Sequence, residues 1–269
     1  MARYKKKRVR ELQHDRFRDT AISVFDRLGN VLEGRGKAIL YGIVAAVLLA
    51  ILVGVWVTRS RRKADEARRA MGRGISIASA PVTSTSPLDP ASTYANEQER
   101  GQKAIEEFQK VAAKYGDPYR TEARYFIATN LLYVDREKGI IELTELSKSN
   151  YTDIATLAKF ALAQVKEVDG KDDEAAQLYS QLASQNSAIV TPETANLRLA
   201  MVYQKQGKKK EAADILFQIA DAARKAKDAE GVNLPLSGAA REASQELQKL
   251  DPDRFAQLPA DAPAAGLTF

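Results

Sequence analysis

The chain has 269 residues and no cysteine, which excludes a disulfide framework, a thiolate metal site, a cysteine nucleophile and an acylated lipoprotein cysteine. Its formal charge of +6 is unevenly spread: residues 1–73 carry 18 Lys+Arg and 7 Asp+Glu, whereas residues 96–250 carry 22 and 24. The C-terminal part is therefore near neutral and lacks the basic face that phosphate binding needs, so no nucleic-acid partner is expected.

Residues 1–37 form a basic tail. Within it Phe17, Ala21, Val24, Phe25, Leu28 and Leu32 fall at helical spacing. That predicts a short amphipathic helix on lipid headgroups, or a cytosolic docking helix. Residues 38–57 read as a transmembrane helix. The uncharged run Ile39–Val57 has nineteen residues, twelve of them Leu, Ile or Val. Such a helix spans roughly 28 Å, close to the ~30 Å hydrocarbon core, and its insertion gains about 4 to 7 kcal/mol. A cleaved signal peptide fits poorly, because its apolar region runs only about 7–15 residues. Gly42, Ala46, Ala50 and Gly54 repeat every four residues, a small-residue stripe that permits lateral packing against another membrane helix.

Basic residues flank the apolar run on both sides. Carrying the eleven Lys+Arg of the tail across a bilayer is costly, which predicts N-terminus in and C-terminal domain out. A cytoplasm-facing adaptor is the other topology. Residues 58–73 read as a charged stalk ending near Gly72 and Gly74. Residues 74–96, with Pro81, Pro87 and Pro90, read as a flexible Ser/Pro spacer in which Asp89-Pro90 could cap a short helix.

From 97 to 250 helical periodicity dominates, and no segment sustains strand alternation. Thr152 and Thr191-Pro192-Glu193 mark helix starts, residues 231–238 read as a long loop, and residues 251–269 as a disordered tail. The region repeats. Leu199-Ala200, Tyr203, Gly207, Ala212, Leu216 and Ile219-Ala220 recur 37 residues earlier as Leu162-Ala163, Lys166, Gly170, Ala175, Tyr179 and Leu182-Ala183. A weaker copy has Ile127-Ala128, Leu131, Asp135, Ile140 and Thr144, and Ala104, Phe108 and Val111-Ala112 supply half of an earlier one. These offsets are those of the tetratricopeptide repeat (TPR), a helix–turn–helix of about 34 residues. Small residues let paired helices approach, glycines close the turns, and stacking buries the apolar faces. The expected fold is all-α: a single N-terminal transmembrane helix plus a TPR-like α-solenoid.

A short cytosolic tail, one transmembrane helix, a spacer and degenerate TPR units resemble the ancillary subunit of the bacterial SecYEG translocon. The resemblance covers most of residues 20–250 and rests on layout and repeat spacing. It implies a bacterial inner-membrane protein with periplasmic repeats, and the Sec translocon and a membrane-anchored periplasmic chaperone as partners. A structural scaffold of a cell-envelope or division complex is the other reading.

Enzyme chemistry is not expected, nor is a cofactor or metal. The only histidine, His14, lies in the tail, and no P-loop, Gly-rich nucleotide fingerprint or G-x-S-x-G elbow occurs. Asp172-Asp173-Glu174 reads as a helix N-terminus favoured by the macrodipole, and Lys208-Lys209-Lys210 as a solvated edge. The functional surface expected is the concave face, lined by the first helix of each pair. The template places Tyr125, Thr129, Leu132 and Tyr133 there from one unit. Leu157, Phe160, Gln164 and Val168 come from the next, and Leu197, Met201 and Lys205 from the third. Such a face suits an apolar helix or an extended segment. Phe160 and Leu197 stand where a carboxylate-clamping TPR needs a cation, so capture of a chaperone's C-terminal carboxylate is disfavoured.

Overall fold

The computed structural model describes the backbone of residues 3–82 and 93–260, and side chains over 40–82 and 93–260. The side chains of the expected amphipathic helix, His14, the Asp89-Pro90 cap and residues 261–269 lie outside the described set. Two compact units meet at Asp65 and Glu66, within the helix α1 (Arg3–Ala78).

In the first unit the apolar run is helical and uncovered. Twelve large apolar side chains from Leu40 to Trp56 are between 48 and 71% exposed. Among the described residues this is the one helix long and apolar enough to cross a membrane.

The second unit is a stack of helices, each packed on its chain neighbour: α2 (Glu97–Lys114), α3 (Tyr119–Val134), α4 (Arg136–Leu146), α5 (Thr152–Val168), α6 (Asp172–Ala183), α7 (Pro192–Lys205), α8 (Lys209–Lys225), α9 (Gly238–Leu250) and α10 (Pro252–Phe255). It is a TPR-like α-solenoid, with α3–α4, α5–α6 and α7–α8 as successive pairs. Ala128, Ala163 and Ala200 are fully buried at one position of the first helices, and Ala175 and Ala212 at one position of the second. Gly170 and Gly207 adopt φ of 71° and 77° after α5 and α7. The amide of Lys171 donates to the Lys166 carbonyl at 2.8 Å, and that of Lys208 to the Tyr203 carbonyl at 2.9 Å. Each turn is thus a left-handed glycine cap that satisfies the last carbonyls of the helix before it.

Four expectations shift. In α4 the buried row is Gly139, Leu143 and Leu146 instead of Ile140 and Thr144, one residue from the expected register. A Cβ on Gly139 would lie 2.9 Å from both the Ala128 carbonyl oxygen and the Leu132 nitrogen, so glycine sets the closest approach of α4 to α3. Second, the stalk does not end at Gly72–Gly74. The helix continues to Ala78, and Ala70 and Met71 pack with Ala104, Phe108 and Val111 of α2. A Cβ on Gly74 would come within 2.5 Å of the Phe108 ring. The terminal turns of α1 therefore supply the first helix of the incomplete earliest repeat, its partner α2 displaced by residues 79–96. Third, Thr152 opens α5 but gives no side-chain cap, whereas Thr191 accepts from the Thr194 amide at 3.2 Å ahead of Pro192, as expected.

Fourth, residues 251–260, within the expected tail, are structured. Asp251 caps α10, Leu258 is buried, and the Arg254 and Arg224 guanidiniums lie 5.2 and 5.5 Å from the Phe217 and Phe255 ring centroids. Helix α9 buries Ala240, Ala243 and Leu247 while Arg241, Glu242 and Gln248 face out, a polar end cap of the kind a solenoid needs for solubility.

Candidate partner-binding groove

Between the helices that open the second and third pairs lies a cavity of about 550 Å³. Along α3 it is lined by Tyr125, Phe126, Thr129, Asn130, Leu132 and Tyr133, and along α5 by Ala161, Gln164, Val165 and Val168. Ala78, Arg100 and Arg136 complete it. The spacing explains the lining. Residues 125, 129, 132 and 133 fall on one stripe of a 3.6-residue helix, and 161, 164, 165 and 168 on one stripe of the next. Tyr133 and Val168 are 51 and 79% exposed, so apolar surface stands open at the groove. Ala161 and Val165 form its buried floor, and Asn130, 7% exposed, is held by its amide nitrogen donating to the Phe126 carbonyl at 2.8 Å. Burial raises the Tyr125 phenol above its ordinary pKa, keeping it a hydrogen-bond donor.

Six of the eleven expected groove residues line this cavity: Tyr125, Thr129, Leu132, Tyr133, Gln164 and Val168. The other five do not. Leu157 packs between the cores of successive pairs, and Phe160 meets Tyr179 edge-on at 5.8 Å between ring centroids. Leu197, 4% exposed, belongs to the core shared by α7, α8 and α9. Met201 accepts a contact from Arg198 at 3.7 Å. Lys205 bonds Asp172 at 2.8 Å and the Glu167 carbonyl at 3.1 Å. A helical stripe cannot separate groove from core here, because each following pair covers the side of the first helix that faces it. Arg100, Asn130 and Arg136 also line the groove, outside the positions that the repeat template marks. Arg100 and Arg136 sit one turn into α2 and at the start of α4, where the template carries no signal.

The acidic turn ties repeats together. Asp172 pairs with Lys205, Asp173 accepts from Gln206 at 3.0 Å, and Glu174 pairs with Lys166 at 2.5 Å. Beside it, Glu167 receives the Tyr179 hydroxyl at 2.9 Å and Arg198 at 2.8 Å, joining α5, α6 and α7. Burial, with the Glu167 charge adding to it and Arg198 opposing, pushes the Tyr179 phenol up to about 12 from 10.0. The unfolded chain releases this proton near 10 and the folded chain only near 12, so this contribution to stability is complete below pH 10 and lost as pH rises through 12. Alkaline melts should show that decline in the wild type and a shallower one in Tyr179→Phe. Equal slopes would contradict the linkage.

In Gly42, Ala46, Ala50 and Gly54 the small-residue stripe is exposed, and a Cβ on either glycine would meet nothing within 4 Å.

No family model and no curated protein matches the chain. Two crystal structures of a putative kinesin light chain with nearly identical TPR-like repeats from Podosopora anserina, one a point variant, are similar to it. Both are 16% identical over 74% of this chain and 88% of theirs, with TM-scores of 0.43 and 0.40. The likeness is distant, and no role is carried across from it.

Proposed function

We propose that this chain is a membrane-anchored, non-enzymatic scaffold whose α3–α5 groove binds partner proteins. Its finer placement is the outer face of a bacterial cytoplasmic membrane, with residues 38–57 spanning once and the repeats in the periplasm. There it serves Sec-dependent translocation or envelope protein biogenesis, with the translocon and a periplasmic chaperone as partners. The observation that carries the binding role is the open groove itself. Its lining offers apolar and tyrosine surface and hydrogen-bonding groups and, among the described residues, no carboxylate or histidine to make an acid–base pair. The anchor rests on the uncovered side chains from Leu40 to Trp56, a patch far beyond what a water-exposed helix sustains.

The test pairs Tyr133→Ala with Val168→Ala in the full chain and compares the proteins recovered from native membranes. Both side chains are at least half exposed, so the fold is expected to survive while partner recovery falls by about tenfold, as for loss of interface anchors. Unchanged recovery would remove the groove from the account. Retention in membrane pellets through alkaline carbonate extraction, lost when 38–57 is deleted, tests the anchor. Protease protection of the repeats in intact cells tests the orientation. Changing Ala46 and Ala50 to Leu tests the stripe, since close helix packing should then weaken co-purification of a membrane partner.

A further inference from the structure

We propose that the segment occupying the groove is acidic: an extended peptide with carboxylate side chains set among apolar ones. This rests on the groove being the binding site and adds which chemistry it selects. Among the described residues, the two charged groups that line it are both guanidiniums, Arg100 and Arg136, and no carboxylate does. The polar groups between them are the Tyr125 and Tyr133 phenols, Thr129, Asn130 and Gln164. The Thr129 hydroxyl and the Asn130 amide nitrogen donate to the Phe126 carbonyl at 3.0 and 2.8 Å, so the two guanidiniums set the charge of the lining.

Arg100 is set in place before any ligand arrives. Its side chain is 17% exposed, Nη1 donates to the Ala80 carbonyl at 3.2 Å, and the guanidinium stands 5.9 Å from the Tyr133 ring centroid. Glu97 places a carboxylate 3.8 Å from Nη2 and is itself 57% exposed. At 3.8 Å, with the Glu97 carboxylate solvated, this contact is long for an ion pair, so an incoming carboxylate can replace it at Nη2. Arg136 gives one nitrogen to Asp169 at 2.5 Å. A guanidinium carries five N–H donors and that contact occupies one nitrogen, leaving donors for a second acceptor. Two such groups share one groove with exposed Tyr133 and Val168, so an extended chain can turn carboxylates toward the guanidiniums and apolar side chains toward Tyr133 and Val168.

Anisotropy titrations test this on the full chain in phosphatidylcholine nanodiscs, a lipid without net charge. The probes are short labelled peptides, N-acetylated and C-amidated, that alternate Leu and Tyr with Glu, Gln or Lys. The Glu peptide is expected to bind about tenfold tighter than its Gln counterpart at low salt, and the preference to shrink at high salt. Arg100→Gln should erase most of the preference, and Arg136→Gln, on a different helix, part of it, each leaving the helical signal unchanged. Equal binding of Glu and Gln peptides, still lost in the Tyr133→Ala, Val168→Ala double variant, overturns the acidic preference and leaves the groove reading intact. Tighter binding of the Lys peptide overturns it as well. Binding that ignores both the arginine and the Tyr133/Val168 substitutions, or no binding at all, overturns both.

Discussion

Phe108→Ala is expected to cost about 3–5 kcal/mol and to release the first helix pair while the distal repeats hold. The ring is fully buried, stacks on Phe126 at 4.9 Å between centroids, and fills the space that Gly74 leaves open. Removing it leaves a cavity among Met71 and Gly74 of α1, Ala104 and Val111 of α2 and Phe126 of α3. Hydrogen exchange on the full chain reads the result. Amides of 66–78 and 97–114 should lose protection first, and those of α7, α8 and α9 last. Uniform loss, or no change in residues 66–78, would mean that the end of α1 is not part of the stack.

Gly139→Ala is the second large effect, and its sign is informative. In a helix interior alanine is favoured over glycine by about 1 kcal/mol. Here the new methyl would stand 2.9 Å from two backbone atoms of α3, which cannot rotate aside. Overpacking of this kind costs about 1–3 kcal/mol, so it outweighs the propensity gain and the melting temperature should fall. Gly72→Ala is the internal control: it is also helical, is exposed, and has nothing within 4 Å of the added Cβ. It should stabilise by about 0.4–1 kcal/mol. If both substitutions stabilise, α4 does not approach α3 as closely as described.

These two positions also mark what the sequence made legible. The pairs built on Ala163, Ala175, Ala200 and Ala212 could be read directly, because small residues and the Gly170 and Gly207 turns recur at a fixed offset. In the α3–α4 pair the template falls one residue out of register with the buried row. There the small residue is Gly139, and the adjacent Ile140 mimics the apolar position of the template while remaining only partly buried. The first pair was hidden because residues 79–96 separate its helices, so no fixed offset links Ala70 to Ala104. In the groove, periodicity places Tyr125, Thr129, Leu132 and Tyr133 on the face of α3 that lines the cavity. On α5 it merged Phe160 with Gln164, which share a stripe although one is covered by the next pair. Burial of that kind depends on the superhelical curl of the stack, a property of no single helix. The arginines were invisible for the opposite reason: nothing in an apolar template marks a cation held over Tyr133.

The central claim is that the α3–α5 groove, and not the outer surface of the stack, receives the partner. A photoreactive phenylalanine derivative placed singly at Tyr133, Val168 or Ile141, followed by irradiation of native membranes, tests it most directly. All three sites are exposed by half or more, and Ile141 on α4 lies outside the groove lining. The account predicts one discrete adduct shared by positions 133 and 168 and absent at 141. The same adduct at 141, or none at the two groove positions, would contradict it.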